Sequence, residues 1–265
     1  MYAFTYERPK SVDDAVKLLK KADEAKLLAG GQTLLPAMKL RLAAPGTVVD
    51  LSGVKGLSGV KVSGKVVTIG AMTKHVDVMN SVDVQKTIPA LAQLASVIGD
   101  PAVRNRGTIG GSLANNDPSA DYPAAALGLG ATIKTNKREI EADKFFKGLF
   151  ETVLADDEII ESVSFAAPEK AGYEKFRNPA SRFALVGVFV SKGKDGVRVA
   201  VTGAGESGVF RVKEIEAALA KDWSAKAIEG IKVPAKGMIA DIHGTAEYRA
   251  HLIGVMARRA VAAAR

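Results

Sequence analysis

Cysteine is absent from this chain of 265 residues. Disulfides, thiolate nucleophiles, zinc–thiolate sites and iron–sulfur clusters ligated by the chain itself are therefore excluded. Histidine occurs only as His75, His243 and His251, far apart and without carboxylates at ligand spacing, so no metal site is expected. Aromatic residues are scarce at 6%, and the basic residues behind the formal charge of +8 are dispersed and not interleaved with them. That pattern speaks against nucleic acid and leaves an anionic small ligand or an acidic partner protein. No apolar run approaches the roughly 20 residues of a membrane helix. The opening Met1-Tyr2-Ala3-Phe4 lacks the basic and apolar regions of a signal peptide. A soluble, cytoplasmic protein is expected.

What remains is ordinary globular composition, 47% hydrophobic and 25% charged, enough for one large domain or two modest ones. Ser11 and Asp14 form a capping pattern ahead of a helix over 11–21. A short strand over 26–29, the pair Gly30-Gly31 and a helical pattern over 33–41 follow, then a strand over 47–50. A hairpin is expected around Ser63-Gly64, and Thr73 is placed to cap a short helix. An amphipathic helix over 88–98 ends at Asp100-Pro101. Residues 104–123 read as irregular chain, and irregular stretches of that length are usually functional. Strands are expected over 131–135 and 159–165, a linker over 168–172, strands over 184–190 and 197–202, and helices over 212–220 and 246–263. The domain boundary falls near residue 168.

Two glycine turns carry the chemistry. The first is Leu28-Ala29-Gly30-Gly31-Gln32-Thr33-Leu34-Leu35. Its glycines permit the close approach and positive φ angles that aim backbone N–H groups at an anion, and the helix start adds donors. It has no lysine and is not a P-loop. Alone it also fits an ordinary strand–helix turn. The second, Thr108-Ile109-Gly110-Gly111-Ser112, repeats the logic and leads into Asn115, Asn116 and Asp117, which favour side-chain-to-backbone turns. Asp121 is placed to accept from a ribose or to cap a helix.

The strings LLAGGQTLLPAMKLRL and DPAVRNRGTIGGSLANNDPSADYPAA resemble the two FAD signatures of the molybdenum hydroxylase flavoproteins. That family includes the medium subunit of aerobic carbon monoxide dehydrogenase and the flavin domain of xanthine dehydrogenase. The resemblance covers nearly the whole chain. It implies an α+β fold: a two-lobed FAD-binding domain of the vanillyl-alcohol-oxidase (PCMH) type at about 1–168, with lobes of about 1–56 and 57–168, and a C-terminal α+β domain at 169–265 that packs over the flavin. It implies non-covalent FAD between the lobes, with its diphosphate on both glycine turns.

By the same resemblance, Asp121 binds the ribityl or ribose region and Ile98 lines the pocket. Ile160 contacts the ring system, unless it is strand core. Lys175 lies near the cofactor, unless it is solvated. Phe183 keeps an aromatic ring by the flavin. Here Arg182 stands where related chains often carry an acid, a cation that would favour reduced, anionic flavin. The resemblance also implies partners, a small iron–sulfur subunit and a large molybdenum-cofactor subunit in a doubled heterotrimer. Electrons then pass through this chain to NAD, a quinone or oxygen. A stand-alone flavin oxidase or reductase, and a non-catalytic nucleotide-binding or assembly protein, are the alternatives. Gly203-Ala204-Gly205-Glu206-Ser207-Gly208 matches a dinucleotide fingerprint, but no later strand pattern completes a parallel unit. Arg249, Arg258 and Arg259 are expected on a solvated or subunit-facing helix surface.

Overall fold

The computed structural model describes residues 1–22 and 24–265. The chain begins with β1 (Thr5–Glu7), α1 (Val12–Lys21), β2 (Ala25–Leu28), α2 (Leu34–Lys39) and β3 (Thr47–Asp50). β3 is central, with β1 and β2 parallel on its two sides. α1 starts as expected: the Ser11 hydroxyl accepts from the Asp14 N–H at 3.1 Å. Acidic Asp13 and Asp14 sit in its first turn and Lys20 and Lys21 in its last, complementing the helix dipole. Ala15, Val49, Leu51, Val54 and Leu57 form the core of this lobe, joined by the distant Ile159.

The second unit runs β4 (Val60–Ser63), β5 (Val66–Gly70), α3 (His75–Asn80), α4 (Val82–Thr87), α5 (Pro89–Ser96), α6 (Pro101–Arg104), α7 (Ile109–Asn115), α8 (Tyr122–Gly128), β6 (Thr132–Thr135), β7 (Glu139–Glu141), α9 (Ala142–Phe145), β8 (Phe146–Gly148), β9 (Glu151–Thr152) and β10 (Ile160–Ala166). Its antiparallel sheet has the order β4-β5-β10-β6-β7. Thr73 does not cap a helix. Its hydroxyl accepts from the Gly59 N–H at 2.9 Å and donates to the Gly59 carbonyl at 3.1 Å. Nor are residues 104–123 irregular throughout, since α7 lies within them and α6 and α8 overlap their ends. Pro101 opens α6 at a position where its missing N–H costs nothing, and Asp100 caps it.

The third unit comprises β11 (Lys170–Arg177), β12 (Ala184–Gly193), β13 (Gly196–Thr202), β14 (Phe210–Arg211), α10 (Lys213–Lys221) and α11 (Ala246–Ala263). Its sheet is antiparallel in sequence order. Val186, Val188 and Val190 of β12 join the core containing residues of α10 and α11, and Phe189 joins the core containing α5 and α8. β12 is thus buried on both faces and reads as a continuous apolar run. The expected linker is shorter than drawn, because Lys170, Ala171 and Gly172 already belong to β11. The Gly203–Gly208 segment joins two antiparallel neighbours with no helix between them, so no parallel nucleotide-binding unit exists there. Arg249 contradicts the solvated reading. It is 3% exposed, donates to the Leu185 and Gly203 carbonyls at 2.8 Å each and pairs with Asp241 at 2.7 Å. Arg259 is exposed and Arg258 half-buried. No helix among the described residues is long and apolar enough to cross a membrane.

Candidate functional site

The two glycine turns, far apart in sequence, pack against each other. A Cβ on Gly30 would stand 2.3 Å from the Arg106 carbonyl oxygen and 2.6 Å from the Gly107 Cα, so only glycine permits the approach. A Cβ on Gly111 would lie 3.3 Å from that of Ala29. Gly31 has φ +72°, which aims the chain into α2. Leu28 and Leu35 flank Gly31, and both side chains would crowd a Cβ there. Gln32 and Thr33 are exposed and Leu34 is half-buried. Among the described residues the N–H groups of these three have no hydrogen-bond partner. The first turn therefore offers a row of free donors next to a backbone-only surface, which suits a diphosphate.

The second turn does not repeat that logic, and the expectation is corrected. Gly110 and Gly111 lie inside α7, and neither has positive φ. The N–H groups are already used: Ile109 donates to Thr73 O at 3.1 Å, Gly110 to Ala71 O at 2.8 Å and Gly111 to the Thr108 hydroxyl at 3.2 Å. Gly110 is needed for contact, since its Cβ would meet that of Ala71 at 2.5 Å. This turn supplies shape, with the half-buried Ser112 on the next residue. Beneath it the backbone N–H of His75 donates to Gly107 O at 3.0 Å. Burial pulls the His75 imidazole down to about 4.

Beyond α7, Asn115 gives way to Asn116 at φ +43°, and the Asn116 amide holds the Gly148 and Glu151 carbonyls at 2.7 and 2.9 Å. Asp117 accepts from the Ser119 N–H at 2.8 Å, and burial raises its carboxyl above the usual range. The end of β13 clamps this loop: the Thr202 hydroxyl lies 3.0 Å from Pro118 O and 2.7 Å from Ala120 O, and the Gly203 N–H donates to Pro118 O at 2.8 Å. Asp121 precedes α8 but makes no side-chain cap. Its carboxylate instead accepts from the Tyr173 hydroxyl at 2.5 Å and from Lys175 at 2.9 Å.

Lys175 is not solvated, being 2% exposed against 3% for Asp121. It also donates to Val97 O at 3.1 Å, while Arg104 holds the Ile98 and Gly99 carbonyls at 2.9 and 3.1 Å. Lys175 thus links Asp121 to Val97, the residue before Ile98. Burial raises the Asp121 carboxyl, opposed by the Lys175 charge and the Tyr173 hydrogen bond.

Phe183 is 51% exposed, at the end of a tight loop in which Arg182 has φ +63° and its N–H bonds to Asn178 O at 2.9 Å. It shares a cavity of about 220 Å³ with Asp117, Ser119 and, from the C-terminal segment, Asp241, His243 and Arg249. Ile160 is 5% exposed in the core, one residue before Glu161, whose carbonyl accepts from Ala71 N at 2.9 Å. Its side chain is strand core. Tyr173 escaped the sequence reading, and Arg249 was placed on the surface. Arg249 had a signal, because it keeps helical spacing with the buried Leu252, Ile253 and Met256. Among the described residues no group of acidic and histidine side chains could hold a metal.

Residues 2–168 match the family described as FAD binding domain in molybdopterin dehydrogenase. The chain belongs to that family, and it is an FAD-binding, electron-transferring subunit of an oxidoreductase of the molybdenum hydroxylase kind. It is 36% identical to the carbon monoxide dehydrogenase medium chain of Hydrogenophaga pseudoflava, over 98% of this chain and 96% of the other. It is 38% identical to the nicotine 6-hydroxylase medium subunit of Paenarthrobacter nicotinovorans, with the same coverages of 98% and 96%. Among solved structures, quinoline 2-oxidoreductase from Pseudomonas putida 86 superposes with a TM-score of 0.88 at 29% identity, over 99% of this chain and 96% of that one.

Proposed function

We propose that FAD lies across the seam between the two glycine turns. Its diphosphate faces the free N–H groups of Gln32, Thr33 and Leu34, with Gly30, Gly31, Gly110 and Gly111 keeping the seam narrow. The observation that carries this reading is the contact of Gly30 with Arg106 and Gly107, beside unpaired donors. In the same proposal Asp121 accepts from the ribityl or ribose hydroxyls. The cavity holding Phe183 and Asp117 takes the ring end. Lys175, bonded to both Asp121 and the Val97 carbonyl, fixes the wall next to Asp121, and Ile98 follows on that wall. Division of the chain near residue 168 is part of this reading, supported by the separate four-stranded sheet that follows it, although Ala171, Tyr173, Phe189 and Ala200 of that sheet pack into the core of the preceding unit.

Bound FAD supplies reversible electron acceptance, and the protein supplies binding, orientation and electrostatics. We also place the chain in the cytoplasm, in a doubled heterotrimer. A small subunit would deliver electrons through iron–sulfur clusters and a large one would carry the molybdenum cofactor. The lack of cysteine supports that division of labour. The test is direct. The purified chain, incubated with FAD and desalted, should retain visible flavin absorbance; a colourless protein would sink the reading.

The proposal places Arg182 beside the ring, where a cation stabilises the anionic reduced form. Arg182→Ala should therefore lower the flavin midpoint potential in a spectroelectrochemical titration. An unchanged potential would remove Arg182 from the ring environment.

A further inference from the structure

Asp121 sits in the first domain, but the two side chains that bind it come from β11 of the C-terminal sheet. A carboxylate offers about four lone-pair positions. Tyr173 takes one on Oδ1, and the Lys175 ammonium lies 2.9 Å from both oxygens. Donors on both oxygens fix the plane of the group and leave a position on Oδ2 for a further hydroxyl.

The tyrosine is itself built into place. It is 1% exposed, its ring packs 6.1 Å from that of Phe189, and its carbonyl accepts from the Gln93 amide at 3.2 Å. Its hydroxyl occupies the space that a side chain on Gly187 would fill, since a Cβ there would stand 2.4 Å from the oxygen. A phenol so enclosed cannot swing away from Asp121.

We propose that Tyr173 is a positioning residue of the cofactor site, aiming the Asp121 carboxylate at the hydroxyls of the ribityl or ribose chain. This rests on the FAD reading above. It makes the C-terminal sheet part of the cofactor site without touching the cofactor. The charged and titratable groups around Asp121 are Lys175 and Arg177 from β11, Tyr173 itself, and Tyr122 from α8.

The test is FAD titration of the full chain, by quenching of flavin fluorescence, across a pH series. Tyr173→Phe keeps the ring and removes one donor. It should weaken FAD binding about 10-fold at neutral pH, the scale of a lost hydrogen bond to a charged group. The acid limb of binding should also move to higher pH, because Asp121 loses a donor that favours its ionised form.

In an Asp121→Asn background, Tyr173→Phe should cost nothing further. Equal affinity and pH profile in Tyr173→Phe would overturn the proposal, as would an undiminished loss in the Asp121→Asn background, which is the mark of packing alone. Should Tyr173→Phe fail to fold, Tyr173→3-fluorotyrosine keeps ring and hydroxyl. Its stronger donor should move the acid limb to lower pH, and no movement would overturn the proposal. An unaltered chain that binds no FAD would instead overturn the FAD reading, and this inference with it.

Discussion

Lys175→Met should cost the folded chain about 3–5 kcal/mol at neutral pH, the penalty for leaving a buried charge without its partner. Both members of the Lys175–Asp121 pair are almost fully enclosed, so bulk solvent screens an unpaired charge there poorly. For a chain of this size the loss corresponds to a fall in melting temperature of roughly 10 °C. The effect has a definite pH sign. Burial already raises Asp121 above the usual carboxyl range in the folded state, and removing the cation raises it further. The folded variant then holds a proton that the unfolded chain releases. Its stability therefore recovers as pH falls through the raised value, and the recovery is complete below the unfolded value. Lys175→Met/Asp121→Asn should regain most of the loss at every pH. Thermal melts at pH 5 and pH 8 check this, and an identical deficit at both would show that packing, not charge, is at stake.

Gly30→Ala should weaken FAD binding about 100-fold, the equivalent of a few kcal/mol of overpacking strain placed on the binding seam. The added carbon would stand 2.3 Å from a backbone oxygen and 2.6 Å from a Cα, so no change of rotamer relieves it. The two turns must separate, and the row of donors after Gly30 moves away from its opposite wall. Gly64→Ala is the control. It has a positive φ, at +57°, which Gly30 does not, and nothing lies within 4 Å of the added carbon. It should lose some stability and leave FAD affinity intact. Equilibrium dialysis against FAD measures both, and equal affinity in Gly30→Ala and the unaltered chain would remove the seam from the site.

Much of this was readable before the structure. The Ser11 cap, the strand Thr47–Asp50, the hairpin at Ser63-Gly64 and the final helix follow from local chemistry, and the structure places them within a few residues of expectation. What failed depends on contacts distant in sequence. Glycine disfavours a helix by about 1 kcal/mol relative to alanine, so Gly110-Gly111 reads as loop. The close packing on Ala71 accounts for glycine there. Asp121 reads equally as cap or ligand, because the choice lies with Tyr173 and Lys175, more than 50 residues later. The glycine pairs announced a site but not its asymmetry. One pair presents donors and the other has already used its own, a difference set by Ala71 and Thr73 on another segment.

The clamp that Thr202 and Gly203 place on the Pro118–Ala120 loop has a consequence for synthesis. The Thr202 hydroxyl reaches back 84 residues to Pro118 and 82 to Ala120. At about 5–20 residues per second, the loop waits on the order of 10 s for its anchors to emerge from the ribosome. Until then both glycine turns exist, but the loop that leads to Asp121 is not held. With FAD placed as proposed, flavin loading is expected to be a late event, timed by completion of the C-terminal sheet and not by the appearance of the turns. A nascent chain halted before residue 202 would carry both FAD signatures and still not retain the cofactor.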